Sequence, residues 1–221
     1  MSEQQDETAK LLSLIRSDYS KHQLSENDVE QNPILQFLKW MKEGIEAGQP
    51  EPNAMTLSTV TAEGKPASRI VLLRGVDEGK FAFFTNYTSN KGKQLAGNPY
   101  ASLNFFWYQL ERQVKISGKT EQCSPEFSDD YFATRPRESQ LGAWASPQGE
   151  VIESREVLVN NFEHYAKLYE GKTIPRPPHW GGFLLNPEKI EFWQGRTGRM
   201  HDRLIFNLQG DGAWKISRLA P

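Results

Sequence analysis

The feature that most constrains this chain is a change of hydrophobic period at Ala54. Before it, apolar residues recur at helical spacing. After it they gather in short runs rich in β-branched and aromatic residues, at 55–60, 68–73, 81–85, 101–107 and 113–120. Turn-formers separate the runs: Ala62-Glu63-Gly64-Lys65, Asp77-Glu78-Gly79, Gly97-Asn98-Pro99, and then the link from Tyr108 to Arg112. Val114 and Ile116 alternate with Lys115 and Ser117, as in a strand with one wet face. The runs predict an antiparallel meander. Strand does not alternate with long helix, which argues against a doubly wound parallel sheet and for a closed or partly closed barrel with flanking helices.

Helices bracket and interrupt these strands. Leu11, Leu12, Ile15 and Tyr19 predict a short helix within a mobile N-terminal segment, residues 1–20. A stronger helix starts where Asn32 can cap it and Pro33 suits its first position, with Ile34, Leu38, Met41 and Ile45 as its expected apolar stripe before Gly48. Ser124-Pro125 opens another, carrying Phe127, Tyr131 and Phe132. A further one over 155–169 places Leu158, Phe162, Tyr165 and Tyr169 on one face, and Gly171 ends it. Strands return at 182–185, 190–193, 204–208 and 214–218, the last two joined by Gly210-Asp211-Gly212. With 221 residues, 37% of them hydrophobic, and no repeat or low-complexity linker, residues 21–221 read as a single domain around one core.

Several function classes lose support at once. A formal charge of -2 offers no global attraction for nucleic acid or an anionic membrane. No apolar run approaches the roughly 20 residues of a membrane helix, and the opening MSEQQDETAK lacks the pattern of a signal peptide, so a soluble cytoplasmic protein is expected. Cys123 is the single cysteine, which leaves no intrachain disulfide, and His22, His164, His179 and His201 lack the paired spacing of a metal site, so none is expected. G-x-G-x-x-G, G-x-x-x-x-G-K-[ST] and G-x-S-x-G are all missing, which weighs against dinucleotide, P-loop and serine-hydrolase chemistry.

What remains is cationic. Arg69 and Arg74 bracket Ile70-Val71-Leu72-Leu73, Arg112 precedes a strand, and Arg135 and Arg137 flank Pro136. A guanidinium stays charged and grips phosphate through paired hydrogen bonds, so arginines ending strands around a barrel suit a phosphorylated small molecule. Each taken alone reads more readily as a surface or ion-pair arginine. The glycine-punctuated loop after Phe192-Trp193 carries Arg196, Arg199, His201, Asp202 and Arg203. It is either a binding loop, with a histidine able to handle a proton near neutrality, or a solvated hairpin. Trp107, Trp144, Trp180, Trp193 and Trp214 read first as core.

In this order, Arg69-Ile70-Val71-Leu72-Leu73-Arg74, Phe84-Thr85-Asn86, Arg112-Gln113-Val114, Tyr131-Phe132, Arg135-Pro136-Arg137-Glu138-Ser139-Gln140, Trp180-Gly181-Gly182, Glu191-Phe192-Trp193-Gln194-Gly195, Arg199-Met200-His201-Asp202-Arg203 and Arg218-Leu219-Ala220-Pro221 resemble the pyridoxine/pyridoxamine 5′-phosphate oxidase family. The resemblance runs from about Arg16 to the last residue. It implies a split β-barrel homodimer with FMN in clefts between subunits. It further implies FMN contacts from Arg69, Ile70, Val71, Leu72, Phe84, Thr85, Asn90, Lys91, Gln113, Gln148, Trp193 and Arg203, with Arg69 and Lys91 on the flavin phosphate. Arg74, Tyr131, Arg135 and Ser139 would hold the vitamin phosphate. Arg199 and His201 would orient the pyridine ring and handle protons, while Arg16 and Tyr19 close over it. The implied reaction is oxidation of pyridoxine or pyridoxamine 5′-phosphate by O2 to pyridoxal 5′-phosphate, with hydrogen peroxide and, from the amine, ammonia.

Three positions depart from the family pattern: Arg74 stands where lysine is common, Asn90 where a second basic residue often precedes Lys91, and Gly149 where serine is frequent. The first changes hydrogen-bond geometry, and the second removes a cation that would aid FMN retention. Rival readings are another FMN-dependent oxidase on this scaffold, of the phenazine-biosynthesis type, and a non-catalytic flavin or pyridoxal phosphate carrier. A single-strand nucleic-acid barrel is a third. Cys123 reads as incidental.

Overall fold

The computed structural model describes Leu11, Leu14 and residues 18–221. Arg16 and the mobility expected of the N-terminal segment lie outside the described residues, as does most of the short helix, of which Leu11 and Leu14 are helical.

Helix α1 (Pro33–Glu46) begins as its sequence dictates: Asn32 Oδ1 accepts from the Ile34 amide at 2.8 Å, and Pro33 takes the first position. Its buried face differs from the expected stripe. Phe37, Trp40 and Gly44 are buried, whereas Leu38 and Ile45 are 44% and 61% exposed. Two aromatics at i and i+3 bury more apolar area than the aliphatic row, and they set the rotation of the helix.

The nine strands are β1 (Ala54–Val60), β2 (Pro66–Leu72), β3 (Gly75–Asp77), β4 (Lys80–Asn86), β5 (Tyr100–Trp107), β6 (Arg112–Gln122), β7 (Trp180–Gln194), β8 (Asp202–Leu208) and β9 (Trp214–Arg218). They form one antiparallel sheet in the order β2-β1-β5-β6-β7-β4-β3, with β8 and β9 branching from β7. The simple meander is therefore corrected: β1 sits between β2 and β5, and β4 pairs with β7. The cause is the length of β7, which runs unbroken for 15 residues where two strands were expected. β6 follows one of its edges, through a bulge at Ser117/Gly118. The other edge is shared, residues 180–185 pairing with β4 and residues 189–194 with β8.

Only Leu73 and Arg74 separate β2 from β3, yet these strands are the two ends of the sheet order. The sheet therefore curls until its ends meet. The Leu73 amide bonds back to Asn53 and the Arg74 amide to Ala82, while no ladder joins β2 to β4. The barrel is split along that seam. Inside it, Leu57, Leu103, Phe105, Val114, Ile116 and Phe192 are fully buried. α1 plugs one end, with Phe37 edge-on to Phe81 at 5.0 Å and Trp40 edge-on to Phe192 at 5.2 Å.

Helices α2 (Asn90–Gly97), α3 (Pro125–Thr134), α4 (Arg137–Ala145) and α5 (Arg155–Leu168) flank the barrel, and α3 to α5 supply a second cluster centred on Phe132, Leu141, Ile174 and Trp180. Ser124 caps α3 as expected. α2 and α4 carry too few apolar residues to announce themselves. In α2, Gly92 is obligatory, because a Cβ there would meet the Tyr87 carbonyl oxygen at 2.2 Å. Among the described residues no helix is long and apolar enough to cross a membrane, and no group of histidine, cysteine and acidic side chains could hold a metal.

Candidate functional site

Where β2 and β4 fail to pair, the seam opens into a cavity of about 280 Å³. It is lined by Ile70, Val71, Leu72 and Arg74 on one side and by Phe84 and Thr85 on the other. Lys91, Tyr131, Arg135, Gln148 and Trp180 complete it. Ten residues that the resemblance assigned to FMN or to the vitamin thus converge, most of them from β2, β4, α2 and α3, together with the newcomer Trp180. The strand edges supply unpaired backbone, and the elements packed over them supply charge.

One end of the slit is basic. Arg69 Nη1 donates to Thr59 Oγ1 at 2.5 Å and Nη2 to Gln94 Oε1 at 3.0 Å, partners that hold the guanidinium without neutralising it. Lys91 Nζ donates to Gln148 Oε1 at 2.8 Å, and Thr85 Oγ1 donates to the same oxygen at 3.2 Å. Burial, then the nearby Arg69, pushes the Lys91 ammonium below the ordinary lysine range. Lys91 also stands in the first turn of α2, whose amides point toward anions. Among the described residues no carboxylate forms a salt bridge with Arg69, Arg74, Lys91 or Arg135.

The other end is built on an aromatic stack. Phe84 lies 3.9 Å from Tyr131 and 5.4 Å from Trp180, all near parallel, and the Arg135 guanidinium sits over the Trp180 ring at 4.6 Å. Arg135 Nη1 is buried and has no hydrogen-bond partner. Burial, then Arg74, lowers its pKa. An unpaired buried guanidinium nitrogen is costly unless an anion arrives to meet it. Trp180 was read from sequence as plain core; its signal was its place beside Gly181-Gly182, where Cβ atoms would collide with Tyr87 and with Cys123 and Phe84. Ser139 lies in α4, just beyond Arg135, and does not line the slit.

A second group stands apart. Gln113, Trp193 and Arg203 occupy one register row across β6, β7 and β8. Trp193 and His201 are 4.6 Å apart, and Tyr19 is edge-on to Trp193 at 5.6 Å. His201 Nδ1 accepts from the Arg196 amide at 3.1 Å, leaving Nε2 open. Burial, then Arg199, depresses its pKa below 6.5. Arg199 is exposed, with a left-handed φ of 61°. Arg203 is already engaged, donating to Glu191 at 2.9 Å and to the Ala220 carbonyl at 2.8 Å. None of this group lines the slit of its own chain.

Arg112 is buried, paired with Glu43 and stacked over Trp40 at 4.4 Å, so it serves the core. Arg137 caps α5 by donating to the Tyr169 and Lys172 carbonyls. Cys123 is buried against Gly182, and desolvation pushes its thiol up to about 11, which makes it inert. Gly149 has φ 92°, a conformation that disfavours the serine common at this position, and it abuts the exposed Asn90.

A split antiparallel barrel with uncompensated cations in its seam defines a class of proteins that bind phosphorylated ligands between strand edges. Comparison with known proteins makes this specific. Residues 41–169 match the family described as pyridoxamine 5′-phosphate oxidase, and residues 180–221 match the pyridoxine 5′-phosphate oxidase C-terminal dimerisation region. The chain is 55% identical to the pyridoxine/pyridoxamine 5′-phosphate oxidase of Nostoc punctiforme, over 94% of this chain and 97% of that protein. It is 54% identical to the one from Paraburkholderia phymatum, with the same coverage. Among solved structures, PhzG from Burkholderia lata, in complex with tetrahydrophenazine-1-carboxylic acid, superposes with TM-score 0.86 at 29% identity, over 91% of this chain and 99% of that one. A pyridoxamine 5′-phosphate oxidase-related, FMN binding protein from Nostoc punctiforme shares the fold, with TM-score 0.70 at 17% identity over 87% and 100%. The chain belongs to the pyridoxine/pyridoxamine 5′-phosphate oxidase family of enzymes and carries its dimerisation region.

Proposed function

We propose that this protein, in the cytoplasm, oxidises pyridoxine or pyridoxamine 5′-phosphate to pyridoxal 5′-phosphate, with FMN as cofactor and O2 as acceptor. The observation that carries this reading is the presence of two cationic stations in one slit. Lys91, with Arg69 near it but outside the lining, forms one, and Arg135 with Arg74 forms the other, the buried Arg135 Nη1 being unpartnered. Two phosphates, one per station, would satisfy both. FMN fits the first, where Thr85 and Gln148 add neutral hydrogen-bonding groups and Ile70, Val71 and Leu72 offer a β-strand edge to the polar rim of a flat ring system. When bound, FMN supplies the redox chemistry, accepting a hydride from the exocyclic carbon of the vitamin and passing two electrons to O2 to give hydrogen peroxide.

The protein's part is placement. Arg135, Arg74 and the Tyr131 hydroxyl anchor the vitamin phosphate and so fix the distance of the pyridine ring from the flavin site. Gln113, Trp193, Arg199, His201 and Arg203 would complete the slit from a second subunit, which explains why they share one face yet miss their own chain's cavity. Neutral His201, whose Nδ1 accepts from the Arg196 amide, carries its proton on the open Nε2 and can donate it to a substrate oxygen or nitrogen, and Arg199 can hold the ring oxygen. Water then hydrolyses the imine from pyridoxamine phosphate, releasing ammonia.

Oxygen consumption with pyridoxine 5′-phosphate tests this, with the visible spectrum recorded beforehand and pyridoxal phosphate and peroxide assayed afterwards. Yellow protein forming both products is expected; a colourless protein that FMN cannot reconstitute refutes the reading. The 0.86 TM-score to PhzG favours one alternative, a phenazine-type oxidation, which a flavin spectrum without turnover of either vitamin phosphate would support.

A further inference from the structure

We propose that Glu111 is a positioning residue which latches the segment 18–24 down and so presents Tyr19 to His201 and Trp193, a role that rests on the oxidase reading above. Glu111 ends the Tyr108–Leu110 turn in a left-handed conformation, φ 54°, and is 7% exposed. A carboxylate in such a place needs donors. It finds two backbone amides: Oε2 accepts from Ser20 at 2.9 Å and from Lys21 at 3.0 Å. No side chain is involved on the segment's side, so the latch reads chain position and not residue type. Lys21 Nζ adds a bond to the Gln109 carbonyl at 2.7 Å, on the same turn.

The fit is shaped from both sides. The Gly195 amide donates to the Glu111 carbonyl at 2.8 Å, and a Cβ at Gly195 would stand 2.6 Å from Tyr19 Cβ and 3.1 Å from Glu111 Cβ. Tyr19, Glu111 and Gly195 therefore pack as one unit, and only glycine permits it. Farther along, the Leu24 amide donates to Asp202 Oδ2 at 3.1 Å, so the neighbour of His201 holds the segment's far end. Glu111 touches no ligand site; it acts through Tyr19, whose ring faces Trp193 and His201.

The test uses the FMN-loaded enzyme and two variants, Glu111→Ala and Gly195→Ala, with Glu111→Gln as the conservative rescue that keeps an acceptor oxygen. Trypsin cleavage after Lys21 reads latching directly, without turnover. Both alanine variants should be cut faster than the parent, and KM for pyridoxine 5′-phosphate should rise about tenfold, through lost charge-assisted bonds in Glu111→Ala and through displacement of Tyr19 in Gly195→Ala, with kcat changed far less and Glu111→Gln in between. If Glu111→Ala fails to fold, Gly195→Ala alone decides, since it displaces Tyr19 with the carboxylate intact. Unchanged cleavage in the folded variants overturns the proposal, as does a fall in kcat and FMN content with KM unmoved. Absence of turnover in the parent would instead count against the oxidase reading, and the cleavage rates would still judge the latch.

Discussion

Arg135 carries a conflict that only a ligand resolves. Its guanidinium is stacked on Trp180 and one nitrogen is buried without a partner, so in the ligand-free protein it is a net cost. Arg135→Met should therefore raise the melting temperature of the unliganded protein while raising KM for pyridoxine 5′-phosphate by at least about tenfold, measured by calorimetry and steady-state kinetics. His201 is the titrating counterpart. Burial and Arg199 hold its pKa below 6.5, so the folded state binds fewer protons than the unfolded one as pH falls through that value. Stability from this residue is present above the ordinary histidine range and lost on acidification. Arg199→Ala removes a repulsive charge and should move the His201 titration, followed by NMR, to higher pH; an unmoved titration would show that the two do not interact. Much at this scale was legible in advance. Arg69, Arg74, Lys91, Tyr131 and Arg135 line or flank one slit as the family blocks implied. Trp180 is core as its residue type suggested and lines the slit besides, while Arg112 and Arg137 lie away from it, because a guanidinium seeking an anion looks the same in sequence as one capping a helix or paired with Glu43.

At the scale of elements, local signals worked where they were local. Asn32-Pro33 and Ser124-Pro125 placed two helix starts, and alternation placed most strands within one or two residues. The pairing of β4 with β7 was not legible, since no nearby turn specifies a partner a hundred or so residues away. Nor was the continuity of β7, because Asn186-Pro187 reads as a break. The structure keeps Pro187 in the strand by placing it opposite the bulge at Gly118. Gly118 is the permissive residue there: a Cβ would lie 1.9 Å from the Asn186 carbonyl oxygen. Gly118→Ala should cost about 1–3 kcal/mol in denaturant unfolding and weaken both halves of β7 at once; a neutral effect would mean the bulge relaxes freely.

For the whole molecule, the outer face of the sheet holds the remaining question. Ile70 is 68% exposed and Phe106 48% exposed, on a face whose row continues through Gln113, Trp193 and Arg203, and the matched dimerisation region includes the latter two. Large apolar side chains left out on such a face are what a second copy would cover. Ile70→Asp should shift the protein toward monomer in sedimentation velocity and reduce FMN retention together. A variant that stays dimeric and yellow would remove this face from the interface.

The unbroken β7 also governs the order in which the molecule can come into being. Until residue 194 has left the ribosome, β4 and β6 have no partner along the edges that β7 will occupy, and the aromatic interior between them lies open to solvent. A nascent chain stopped at residue 179 would present unsatisfied edges beside Phe81, Phe83 and Phe105, so that fragment should aggregate on expression where the full chain stays in solution. Closure of the barrel is thus a late, nearly all-or-none event in synthesis, and the slit that receives the ligand is created in the same moment.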